Sequence, residues 1–94
     1  MDVTMQFEWD ESKNIINIRK HSIDFVDAIE VFEQPMLVLP DDREDYGEER
    51  RIGIGLMQTL TIVVVYVEKH NEIIRLISAR KATRHEIKRY EETI

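Results

Sequence analysis

The sequence predicts an α+β domain, an antiparallel sheet preceded by two helices and followed by one. Three observations carry that prediction. Leu60–Val67 is an almost unbroken run of β-branched and aromatic residues, as a central strand covered on both faces requires. Phe25, Ala28, Ile29 and Phe32 recur at i, i+3, i+4 and i+7, the spacing of one helix face. Thr83-Arg84-His85-Glu86 has the form of a capping box, in which the hydroxyl and the carboxylate each satisfy a backbone donor of the first helical turn.

The remaining elements follow in chain order. Met5–Trp9 alternates as a short strand with Met5, Phe7 and Trp9 on one face. Asp10 suits a helix N-cap, and Arg19-Lys20-His21 supply cations where the helix dipole favours them. Between them Lys13, Asn17 and His21 form a polar stripe, leaving Ile15, Ile16 and Ile18 for the buried side. Ser22 or Asp24 opens the second helix and Pro35 ends it. Met36–Leu39 is a short strand ahead of the polar loop Pro40–Glu49. Arg51–Leu56 and Leu60–Val67 form a hairpin across Met57-Gln58-Thr59. A turn at Lys69-His70-Asn71 leads into a last strand, Ile73–Arg80. Strict alternation along it puts Ile74, Leu76, Ser78 and Arg80 on one face, with Ile73, Arg75, Ile77 and Ala79 on the other. The final helix carries Ile87, Tyr90 and Ile94 as its apolar face.

With 94 residues the chain is expected to form a single domain over 1–94. It holds no cysteine, which excludes a disulfide scaffold, a thiol nucleophile and any cysteine-based metal site. Its apolar runs are too short to cross a bilayer as a helix. The opening MDVTMQFEWDE is acidic where a secretory signal is basic and then apolar, so a cytoplasmic location is expected. The net charge of −6 is unevenly spread. Residues 1–49 hold four Lys/Arg against fourteen Asp/Glu, whereas residues 50–94 hold nine against five. An acidic total opposes broad nucleic-acid binding, whose affinity comes from neutralising phosphates. The basic stretch Arg75–Arg89 is either a solvated helix face or a stripe that holds a few phosphates.

Four segments together resemble one known family. FEWDESKNIINIRKHSIDFVDAIEVFEQP at 7–35, GEERRIGIG at 47–55, VVVYVEK at 63–69 and IIRLISARKATRHEIKRYE at 73–91 are similar to the BrnT toxins of bacterial type II toxin–antitoxin systems. That family is related in fold to the RelE/ParE-like ribonucleases. The resemblance implies an mRNA-cleaving toxin that needs no metal or organic cofactor. It also implies neutralisation by a BrnA-like, DNA-binding antitoxin, so that DNA is touched only through the partner and no membrane is involved. The rival expectation is a non-catalytic protein that binds the antitoxin and tunes its operator binding.

Metal-independent RNA cleavage needs a base for the 2′-hydroxyl, cations for the phosphorane and an acid for the leaving 5′-oxygen. Arg80, at a strand end inside the best-matched segment, is a candidate for phosphate binding or a structural partner of the acidic loop. Arg50 in Gly-Glu-Glu-Arg is a second phosphate candidate or a surface ion pair. His21 is the candidate for proton transfer, since histidine titrates nearest neutrality, or a cation on a helix C-terminus. Glu68 serves as a base if it faces Arg80, and otherwise ends a strand at the surface. Lys20, Lys81, Arg84 and Lys88 are candidates to guide the RNA backbone, with Lys81, Arg84 and Lys88 spaced to share a helix face. His70 and His85 read as solvated, and three scattered histidines suggest no metal site.

Overall fold

The computed structural model describes residues 5–94, so Met1–Thr4, the start of the acidic N-terminal segment, lie outside it. The elements run β1 (Gln6–Glu8), α1 (Glu11–His21), α2 (Phe25–Ala28) with a 3₁₀ turn over Ile29–Glu33, and β2 (Leu37–Pro40). Then follow β3 (Arg51–Met57), β4 (Leu60–Lys69), β5 (Ile73–Lys81) and α3 (Arg84–Thr93). The α+β class agrees with the expectation; the helices agree in part, since the second is one α turn continued as 3₁₀, and the sheet corrects it. Its order is β1-β5-β4-β3-β2, and β1 lies parallel to β5, so the sheet is mixed. β2 to β5 form an antiparallel meander that leaves one side of β5 open at its start. The N-terminal strand fills that place, aligning Gln6 with Ile73 and Glu8 with Arg75. Glu8 then bridges Arg75 at 2.8 Å and Lys69 at 3.0 Å, fixing the edge.

β4 is the centre of the sheet, and Ile62 to Tyr66 are buried throughout, as their composition requires. Ile62, Val64 and Tyr66 point towards α1 and α2, where they join Phe25, Ala28, Val31, Ile74, Leu76 and Ala79 in the main core. Val63 points the other way, to a smaller cluster with Ile54 and Tyr90 under α3. Rings extend the main core, with Phe32 edge-on to Tyr66 at 5.0 Å and Trp9 edge-on to Phe25 at 5.9 Å. Gly55 lets the 3₁₀ turn approach, because a Cβ there would stand 3.1 Å from that of Met36 and 3.3 Å from that of Val31.

Two local expectations fail, each for a nameable reason. The first concerns α1, which turns its polar side inward: Asn14 and Asn17 are 3% and 5% exposed, while Ile15, Ile16 and Ile18 are 45%, 58% and 39% exposed. Hydrogen bonds compensate for burying the amides. The Asn14 Oδ1 accepts from the Phe25 N–H at 2.9 Å, and its Nδ2 donates to Asp24, the cap of α2. The Asn17 Nδ2 donates to the carbonyls of Ala79 and Ile23, both at 2.9 Å, and its Oδ1 accepts from the Ala79 N–H at 3.0 Å. One side chain thus gives β5 the paired bonds that a neighbouring strand would give. Ser22, in left-handed conformation, closes α1 rather than opening the second helix; Asp24 does that.

The second failure lies in β5. Val65 pairs with Ser78 but Tyr66 pairs with Leu76, so Ile77 is an extra residue, a β-bulge. An extra residue inverts the facing of everything beyond it. Ala79 therefore joins Ile74 and Leu76 in the main core, while Ser78 and Arg80 turn to the side of α3.

These contacts set opposite expectations for two residues of α1. Asn17→Ala strands three buried backbone groups and should cost about 3 kcal/mol in urea unfolding. Ile16→Ala, an outward isoleucine, should stay within about 0.5 kcal/mol of the wild type. A comparable loss from both would refute the inverted helix.

Candidate functional site

The bulge at Ile77 aims Arg80 across the less covered face of the sheet. There a groove of about 280 Å³ has a floor of Leu39, Ile52, Ile54, Val63, Val65 and Ser78. Its rim is charged: Arg80 from β5, His85, Glu86 and Arg89 from α3, and Arg43 from the loop after β2. His85 and Arg89 stand one turn apart on α3, on the same face of the helix. The capping box at Thr83 fixes where that helix starts, with the Glu86 N–H donating to the Thr83 Oγ1 and the Thr83 N–H to the Glu86 Oε1.

Glu86 does two jobs. Besides closing the capping box it accepts both terminal nitrogens of Arg80, each at 2.8 Å, in a fork-to-fork pair. The Arg80 Nη1 also donates to the Lys81 carbonyl at 3.2 Å. Of the five N–H groups of the guanidinium, the Nε–H and one on Nη2 are left for a ligand. The hydrogen bonds from Arg80 hold the Glu86 carboxyl down to about 2, and the same contact raises Arg80 against the nearby charge of Arg43. Arg43 is itself tied back, its Nε 2.7 Å from the Asp41 Oδ1 and its Nη2 2.8 Å from the Oδ2. Arg43 and burial act oppositely on the Asp41 carboxyl, and the arginine prevails, holding it low. Arg89 has no carboxylate partner among the described residues.

The residues singled out from the sequence fall into three places. His21, Lys20 and Lys81 line a shallow pocket with Arg80 at the edge of β5. Arg84 and Lys88 are exposed on α3, beside the stripe that faces the groove. Lys81 is the last residue of β5 and so shares no helix face with them. Arg50 and Glu68 stand apart from this region. Arg80 is level with Val63 and Ile54 across the sheet, which puts Arg50 about 13 Å and Glu68 about 17 Å away along their strands. Arg50 bonds Glu48 at 3.1 Å and lies 4.0 Å over the ring of Tyr46. Glu68 pairs with Arg51 and shares a hollow with Lys69, His70 and Ile73. The four residues His21, Arg50, Glu68 and Arg80 therefore do not converge on one centre; two of them do.

Arg43, His85 and Arg89 were not among the candidates. His85 and Arg89 carried a legible signal, an i, i+4 pair on a capped helix. Arg43 carried none, because it sits in an acidic loop and depends on the buried Asp41 for its position. A larger hollow of about 420 Å³ lies under that loop, but Asp42, Glu44, Asp45, Glu48 and Glu49 line it. Those carboxylates outnumber Arg50 and Arg51, which share the lining, and oppose a phosphate there. Among the described residues no three His, Cys, Asp or Glu side chains cluster in a way that would hold a metal ion.

Comparison with known proteins points the same way. The family model described as "Ribonuclease toxin, BrnT, of type II toxin-antitoxin system" matches residues 9–86. Among solved structures, the crystal structure of the Brucella abortus ribonuclease toxin BrnT superposes with a TM-score of 0.70 at 32% identity, covering 86% of this chain and 100% of that one. A comparison with curated proteins gave no match.

The Arg80–Glu86 pair has a pH signature. A carboxyl held down to about 2 adds stability that is fully present above the ordinary carboxylate range and lost as pH falls towards 2. The unfolding free energy of Glu86→Gln should therefore fall furthest below the wild type near neutral pH, and the two should converge in acid. A gap that stays constant with pH would show that the carboxylate charge is not what matters.

Proposed function

Because the chain belongs to the BrnT family of ribonuclease toxins of type II toxin–antitoxin systems, we propose that it is a metal-independent endoribonuclease that cuts mRNA in the groove between α3 and the sheet. The observation that carries this reading is the convergence of three arginines and a histidine on one apolar-floored groove in a chain of net charge −6.

Cleavage proceeds by attack of the 2′-oxygen on the adjacent phosphorus, with loss of the 5′-oxygen in line. The hydroxyl proton goes to a base and the leaving oxygen receives one from an acid, so the step needs proton carriers and cations rather than a redox group. Arg80 and Arg89 bind the phosphate and stabilise the extra charge of the phosphorane, Arg80 donating from a place that Glu86 has already ordered. Glu86 is ionised at neutral pH and too acidic to be an efficient base, so it acts as a positioning residue that orients Arg80. His85, on the rim of the groove, carries a proton. His21, beside Arg80 at the edge of β5, is the second proton carrier, and Lys20 and Lys81 hold the strand that leads there. Arg84 and Lys88 extend the cationic track along α3. Arg50 and Glu68 take no part in this reading.

The same reading places the protein in the cytoplasm, where its mRNA substrate is. A BrnA-like antitoxin holds it inactive and supplies the contact with DNA. The ion pair between Arg80 and Glu86 favours a second reading, a non-catalytic partner of the antitoxin, since the central arginine is partly satisfied from within the chain.

Controlled expression in bacteria separates the two. The wild type should arrest growth with loss of intact mRNA, and Arg80→Ala should lower cleavage by the purified protein roughly 100-fold or more while remaining folded. His85→Ala and His21→Ala should each lower it as well. A folded wild type that cleaves no RNA at high concentration would establish the non-catalytic reading.

A further inference from the structure

We propose that the outward face of α1 is the surface on which the antitoxin docks, and that its occupant is an amphipathic helix with acidic flanks. The inference rests on the toxin–antitoxin reading and deepens it by placing the partner. Ile15, Ile16 and Ile18 are 45%, 58% and 39% exposed within four residues of one helix. The helix achieves this at a cost, since it buries Asn14 and Asn17 where isoleucines would pack without hydrogen bonds. Isoleucines that a fold turns outward in exchange for buried amides indicate an apolar contact with another chain.

Charge selects the occupant. Lys13, Arg19 and Lys20 neighbour the isoleucines at i±3 and i±4, against one carboxylate, Glu11, a turn before Ile15; among the described residues none of the three cations pairs with a carboxylate. The rest of residues 1–49 is strongly acidic and contains one further cation, Arg43. An apolar face interspersed with cations in excess fits a helix whose apolar stripe is bordered by Asp or Glu. A second copy of this chain fits badly, because a two-fold contact over α1 brings the cations of one copy against those of the other. The position also bears on inhibition. α1 ends in Lys20 and His21, which line the pocket beside Arg80 at the edge of β5, so a helix seated along α1 adjoins that approach to the arginine.

The test uses the purified product of the reading frame adjoining the gene for this chain, with affinity read by titration calorimetry. Ile15→Asp/Ile18→Asp should bind it roughly 30-fold more weakly or worse, as loss of two central anchors does, while still arresting growth like the wild type. The milder Ile15→Ala/Ile18→Ala keeps the helix and should lose affinity in the same direction. Arg19→Glu should weaken binding further and remove part of its salt dependence. Unchanged affinity in both isoleucine variants would overturn the proposal and leave the toxin reading intact. Sedimentation showing a wild-type dimer that the aspartates dissociate, with antitoxin affinity unchanged, would overturn it in favour of a second copy. A wild type that arrests growth yet does not bind that product would overturn both the partner and its place.

Discussion

The arrangement depends on one side-chain amide. Asn17 exchanges two hydrogen bonds with the backbone of Ala79, as a residue in an adjoining strand would, and with a third bond holds the carbonyl that leads into α2. β1 covers only the first part of the outer side of β5. The rest would be an open edge, with unpaired donors and acceptors beside an apolar core. The amide closes that edge with a helix. It also fixes which way α1 faces, and it clamps β5 just beyond the bulge that sends Arg80 to the opposite face.

What the sequence disclosed follows from how local each signal is. The β-branched run of β4, the capping box at Thr83 and the helix at Phe25 all declare themselves within a few residues, and the structure contains them. The mixed sheet was hidden, because the parallel pairing of Gln6 with Ile73 joins segments far apart in the chain. The bulge was hidden as well: Ile77 differs in no way from the neighbours with which it alternates. Arg80 was legible as a residue, but the side to which it turns was not. The orientation of α1 misled for a subtler reason. Three isoleucines and two asparagines on one helix normally mean isoleucines inside, and only the distant backbone at Ala79 makes the reverse favourable.

The electrostatic plan is one of separation. Most of the negative charge lies in the first half and concentrates in the loop before β3, whereas cations gather at the end of β5, in the first turns of α3 and on α1. Within the groove, opposite charges are paired so that position and strength are set together. Glu86 orients Arg80, and Asp41 orients Arg43. Each pairing lowers the free charge offered to a phosphate but removes the entropy of ordering a long side chain when the ligand arrives. The acidic total weakens attraction for nucleic acid at a distance and leaves recognition to contacts made at close range.

The parallel pairing of β1 with β5 bears on how the domain comes into being. During translation β1 emerges first, yet its partner residues, Ile73 to Arg75, emerge more than sixty residues later. The nascent chain therefore exposes a strand without a mate until those residues emerge, and the sheet closes only then. The arginines and histidine contributed by β5 and α3 leave the ribosome later still. A chain interrupted before Ile73 has neither the mate of β1 nor Arg80, His85 and Arg89, so the closing of the sheet and the cationic side of the groove are completed together.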